Sequence, residues 1–397
     1  MIKISIRKNL IYLILLFISF SLRRILDIIL FKTFGLNNSV IFSFLMCSGE
    51  IVGGFLIFRH QNTLFTKKEE DNYDNNKKIS RRLFAYNLIK TERKMKQEDN
   101  KYKIYLLIFF ASFFDLIEFI ILSNFIPKIA SLSPTSTLRL CCIMTITSSL
   151  FCTFALKFKI GRHQIFSLII LGLCSCIIII FEFIFKSKDI SIGNFIISYL
   201  LIICHLIFLS LTDVIERYLV DYNYLNPLKI LMNEGIISFI LTCFYSIMQN
   251  PFKEVSTIYK EVNAGKFILL LFFLILFAIL SALINIYKIL CNVLYSPMTK
   301  SLSSYFLNSV FIIYHYLDRN DFLSEGEKNF LYFFMNLIIS IIIDFFGLIY
   351  NEFFILNCCG LSKETHEGIS FRAALNQLEM TSNKFEDNDI NSIDSDL

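Results

Sequence analysis

Residues 267–287 read FILLLFFLILFAILSALINIY, twenty-one positions without a single Asp, Glu, Lys or Arg. A helix needs about 20 mostly apolar residues to cross the hydrocarbon of a bilayer, and this run is one such length. Working outward from it, charged or Pro/Gly/Asn punctuation divides the chain into ten blocks of this kind. They fall at 9–31, 40–58, 104–125, 134–156, 164–185, 191–212, 228–248, 266–287, 299–317 and 329–350. The expected fold class is therefore all-α integral membrane, with about ten transmembrane helices.

Composition agrees. The 397 residues are 55% hydrophobic and 18% charged, with a mean hydropathy of +0.60, whereas soluble domains carry roughly 25% charged residues. Lys3, Arg7 and Lys8 ahead of the apolar run Leu10–Phe20 resemble a secretory signal, but Ser21-Leu22-Arg23-Arg24 follows in place of a small-residue cleavage site. The expectation is a retained first span. Placing the N-terminus in the cytosol assigns 26 Lys and Arg to cytosolic segments and 9 to the opposite loops, with Arg23, Arg24 and Arg139 inside spans. That direction obeys the positive-inside rule and puts both termini in the cytosol.

Between the blocks lie two hydrophilic pieces. The loop 59–103 contains KKEEDNYDNNKK and reads as disordered, and its Tyr86-Asn87-Leu88-Ile89 fits a tyrosine-based sorting pattern of low specificity. The tail 351–397 ends in the acidic stretch 386–397 and reads as solvated. Cys358-Cys359 sits where the last span meets the surface, a place for plain interfacial thiols or for acylation. The remaining cysteines lie mainly in apolar runs without CxxC or metal-ligand spacing and read as free buried thiols.

Ser133-Pro134-Thr135 opens the fourth block and Ser296-Pro297-Met298-Thr299 opens the ninth, five spans apart. An odd number of helices per half inverts the second half relative to the first. This gives two inverted five-helix repeats, the first comprising 1–58 and 104–185 and the second 186–350.

Ionisable side chains inside spans are costly and face a bundle interior or a watery cavity. Asp115 and Glu118 stand i, i+3 on one helix face. Arg139 opens the next helix, so a hairpin could join it to one of these acids. A substrate- or proton-binding element and an internal ion pair are both open readings. Glu234, after Pro227 and before Gly235, and Asp344, deep in the tenth span, are further candidates to line a cavity. Glu50 lies between Gly49 and Gly53, a small-xxx-small spacing that reads as close helix packing. Lys288 and Lys300 are expected to flank their spans at the cytosolic face and snorkel, with contact to an anionic substrate as the sharper alternative. His205 reads as a packing residue. Arg23 and Arg24 fit either a span end or a pore lining.

No HExxH, GxSxG, Walker-type GxxxxGK[ST] or loop-facing DxE pair occurs, and the five histidines are scattered. Neither an enzymatic role nor a cofactor or metal is expected, and any transport would be exchange, facilitated diffusion or ion-coupled.

Phe113-Phe114-Asp115-Leu116 and Ser136-Thr137-Leu138-Arg139-Leu140 resemble the third and fourth spans of the drug/metabolite transporter superfamily, in particular the F-type members of solute carrier family 35, relatives of the nucleotide-sugar carriers. Asp115 and Arg139 fall on that family's polar positions, although its flanking Cys, Gln and Gly are missing. Glu216-Arg217-Tyr218-Leu219 with Asn226-Pro227-Leu228 and Glu234-Gly235 is similar to the connection between spans six and seven. Leu348-Ile349-Tyr350-Asn351-Glu352 is similar to the close of the tenth. The resemblance implies a central cavity between inverted repeats, an endomembrane location and carriage of a small polar metabolite. Asp115, Glu118, Arg139, Glu234 and Asp344 are the expected substrate-binding residues. The expected partners are that small-molecule substrate and the lipid bilayer, with no nucleic acid, and a homodimer is compatible with the reading. The alternative class is a polytopic receptor or scaffold that transports nothing.

Overall fold

The computed structural model describes residues 2–4, 11–34, 40–55, 101–122, 138–186, 191–223, 225–249, 264–317, 330–356 and 365. Ten helices of fourteen or more residues run through them. They are α1 (Ile11–Phe34), α2 (Val40–Phe55), α3 (Lys101–Ile120), α4 (Cys142–Ala155) and α5 (Arg162–Lys186), then α6 (Ile192–Asp221), α7 (Pro227–Gln249), α8 (Ala264–Leu294), α9 (Pro297–Leu317) and α10 (Phe330–Tyr350). Each overlaps one of the ten apolar blocks, although α4 starts well inside its block and α6 and α8 run past the ends of theirs. Five of them, α5, α6, α7, α8 and α10, are long and apolar enough to cross a bilayer. The described residues are predominantly helical, and the chain is a multi-pass membrane protein. Tyr86 to Ile89, Cys358 and Cys359 lie outside the described residues.

Side-chain burial follows a membrane logic. Large apolar residues point outward, with Ile169 and Leu173 of α5 each 58% exposed and Ile268 of α8 70%. On a soluble protein such faces would be contiguous sticky patches; against lipid tails they are matched to their solvent. Polar groups turn inward instead. α9 is too polar for an isolated span, but Thr299, Lys300, Ser301, Ser303 and Asn308 are all buried.

Local sequence fixes several helix starts. Asn226 Oδ1 accepts from Leu228 N at 2.9 Å and Pro227 takes the first helical position of α7. Ser296 Oγ accepts from Thr299 N at 3.0 Å and Pro297 does the same for α9. Each cap satisfies an orphan amide, and proline lacks the donor that position could not use. The C-terminal carbonyls of α8 are covered by Arg217, whose Nη1 donates to Asn292 O at 2.7 Å and also to Val293 O.

Helices pack in definite pairs: α3 on α6 and α7, α1 on α8 and α9, α4 on α5, α6 and α9, and α10 on α5 and α9. The Gly49/Gly53 step of α2 meets a matching step of small residues on α8. A Cβ on Gly49 would lie 2.6 Å from the Ala278 carbonyl oxygen, and one on Gly53 3.3 Å from Ala282 Cβ. The small-xxx-small spacing thus serves close backbone approach. Outside the helices, β1 (Ile2–Ile4) pairs antiparallel with β2 (Phe354–Leu356), Lys3 opposite Ile355.

Candidate functional site: a charged cavity between the helices

A cavity of about 260 Å³ opens between α1, α2, α3, α4, α6, α8 and α9. Its apolar wall comprises Phe20, Phe119, Leu122, Leu206 and Leu209, among others. Its polar wall comes from five helices: Arg23, Arg24 and Asp27 of α1, Asp115 and Glu118 of α3, His205 of α6, Asn285 and Lys288 of α8, and Lys300 and Ser304 of α9. The cavity therefore presents both signs of charge inside an apolar shell.

The lysines organise one end. Lys300 Nζ donates to both carboxylate oxygens of Asp213 at 2.5 Å, and Lys288 Nζ lies 3.6 Å from Asp115, 3.8 Å from Asp213 and 3.9 Å from Glu216. Asn292 Nδ2 closes the network with bonds to Glu216 Oε2 at 2.9 Å and Asp213 O at 2.7 Å. Ions this deep are tolerable only when paired and hydrogen-bonded, which is how the lysines are held. Their expected place at the cytosolic surface is corrected here: Lys300 is 3% exposed, and the Lys288 side chain is 12% exposed. For Lys288 the reason is helix length, because α8 runs on to Leu294, past the charge that had marked its end. Lys300, in the first turn of α9, is covered because α6 runs on to Asp221 and brings Asp213 against it.

Further along the cavity, His205 Nδ1 lies 3.3 Å from Glu118 Oε1 and 3.3 Å from its carbonyl oxygen. The Arg23 guanidinium stands 4.9 Å from the Phe277 ring centroid, a cation–π contact. Arg23 and Arg24 thus line the cavity, which answers the question their sequence left open.

Among the expected substrate-binding residues, Asp115 and Glu118 line this cavity together. Glu234 lines a small adjoining pocket with Glu50, Asp115, Glu216, Asn285 and Lys288. The structure does not bring the other two here. Arg139 pairs with Glu182 at 2.8 Å and donates to Tyr332 Oη, so the hairpin with Asp115 or Glu118 is corrected. The start of α4 meets the end of α5, where Glu182 sits. Asp344 accepts from Ser309 Oγ at 2.6 Å between α10 and α9. Asp213 and Glu216 were missed as site residues, although they repeat in α6 the i, i+3 spacing of Asp115 and Glu118 in α3.

Among the described residues no group of three His, Cys, Asp or Glu has metal-holding spacing. No family model matches the chain, and no curated protein matches its sequence.

Proposed function

We propose that this chain is a secondary transporter that carries a small polar metabolite, a nucleotide sugar or related organic solute, across a membrane by alternating access. The observation that carries this reading is the cavity itself: a solute-sized space with Asp115, Glu118, Lys288 and Lys300 on its wall, enclosed by apolar helices. Charged groups inside a membrane bundle mark solute and ion pathways, and groups of both signs suit a solute bearing polar and charged parts.

Two features support the finer architecture of ten spans in two inverted repeats. The β1–β2 pair puts the backbone before α1 beside the backbone after α10, which suits an even number of crossings. Several of the packing pairs also interconvert when each helix is exchanged for the one five places on. α3–α6 becomes α8–α1, α4–α6 becomes α9–α1, and α4–α5 becomes α9–α10; all six occur. The α3–α7 pair becomes α8–α2, the contact made by Gly49 and Gly53. An inverted-repeat carrier holds its substrate between the halves, and the cavity draws its polar wall from helices of both. We place both termini in the cytosol on the charge distribution of the loops, and the protein in an endomembrane on the resemblance of its third and fourth spans to the solute carrier family.

The test is uptake into proteoliposomes holding the purified protein, run against nucleotide sugars, amino acids and organic cations beside Asp115→Asn. One class should be taken up. The variant should lose about tenfold or more, because a charged hydrogen-bonding group is worth about 1.5–3 kcal/mol. Full uptake by a well-folded Asp115→Asn would remove this residue from the path. Silence across the panel from folded protein would favour a receptor or scaffold.

A further inference from the structure

Beside the main cavity lies a second space of about 10 Å³, lined by Glu50, Asp115, Glu216 and Glu234 with Lys288 as its one cation. Asp115 and Glu216 have that lysine within 4 Å. Glu50 and Glu234 have no cation within 4 Å among the described residues, and they are 4% and 7% exposed. Glu50 Oε1 accepts from Asn285 Nδ2, while Glu234 Oε1 is buried without a hydrogen-bond partner. The two residues come from facing helices. A Cβ on Gly235, the residue after Glu234, would lie 2.9 Å from Glu50 Cβ, so α7 rests directly on the backbone that presents Glu50.

A carboxylate buried without a cation carries a large desolvation penalty, and something must balance it. The space admits about one water-sized particle, far too little for an organic solute. A space for one small particle beside two acids that lack a cation suits the smallest cation of all. We infer that Glu50 and Glu234 form a proton-binding site adjoining the solute cavity, and that the carrier is proton-coupled. This rests on the transport reading for its second half only.

The site is faced by Asp115 from α3, Glu216 from α6 and Lys288 and Asn285 from α8, with Asp213 of α6 and Lys300 of α9 beyond Lys288 and Arg23 of α1 on the main cavity. Asp115, Asn285 and Lys288 line both spaces, which gives a route for coupling. A proton taken from water onto Glu50 or Glu234 removes one negative charge beside Lys288. That changes how strongly Lys288 holds Asp115, and Asp115 forms part of the solute wall. When the site faces the other side, the proton returns to water and the charge is restored.

The experiment is infrared difference spectroscopy of the full protein in liposomes across a pH titration, with Glu50→Gln, Glu234→Gln and the double variant, each first shown monodisperse. The wild type should gain a protonated-carboxyl band while still above about pH 4, where solvent-exposed carboxyls titrate; each single variant should lose part of that early band and the double variant most of it. Glu234→Asp, which keeps the acid, should retain the band if Glu234→Gln folds poorly. A band unchanged in both single variants overturns the site. A band that responds to sodium at fixed pH overturns the proton assignment in favour of a metal cation. A parallel uptake assay with and without a pH gradient separates the two readings. A titrating band without any uptake sinks transport and leaves the proton site. Uptake indifferent to the gradient in protein whose band titrates overturns the coupling.

Discussion

Lys300 and Asp213 show what a buried ion pair does to its neighbourhood. Their double hydrogen bond at 2.5 Å lies fully inside the bundle, so removal of Lys300 leaves Asp213 only the longer contact to Lys288 at 3.8 Å. Lys300→Met should destabilise the protein by about 3–5 kcal/mol, the usual cost of an orphaned buried charge. Asp213→Asn together with Lys300→Met should cost clearly less than the two single changes added. Thermal unfolding in detergent checks this, and strict additivity would contradict it. At this scale the sequence was partly legible. Asp115 and Glu118 announced themselves because they interrupt an apolar run in its middle. Asp213 and Lys288 did not, because a first charge after an apolar run reads as the membrane surface. Only the length of α6 and α8 distinguishes that case from a charge carried inward, and length is decided by neighbours that a single segment does not reveal.

The helices themselves were legible almost to the residue where a cap and a proline mark the start, as at Asn226-Pro227 and Ser296-Pro297. Their partners were not, save where small residues imply close approach. Gly49 is such a place, with a virtual Cβ 2.6 Å from a backbone oxygen of α8, whereas a Cβ on Gly193 in the first turn of α6 meets nothing within 4 Å. Gly49→Ala should therefore force α2 and α8 apart and cost about 1–3 kcal/mol, as overpacking does. Gly193→Ala should stay within about 0.5 kcal/mol of wild type. Equal thermal stability of the two variants would deny that the α2–α8 contact is tight. Arg139 teaches the same lesson from the other direction. Sequence proximity offered it Asp115, but the packing of α4 against α5 gave it Glu182.

Across the described residues, apolar faces turned outward and charges gathered inward describe a bundle built around a charged cavity. The class of fold followed from block lengths alone, since lipid requires helices of a set length. The cavity did not, because five helices far apart in sequence contribute its polar wall. The proposed transport requires access to this cavity from both sides in turn. Ser304 is a small residue of α9 on the cavity wall, so Ser304→Cys places a thiol there with little change in volume. Right-side-out and inside-out vesicles would be treated with a membrane-impermeant thiol reagent, and the peptide carrying residue 304 read by mass spectrometry, which leaves the native cysteines in place. The account predicts modification from either side, reduced by the transported solute. Modification from one side only, or from neither, would contradict alternating access.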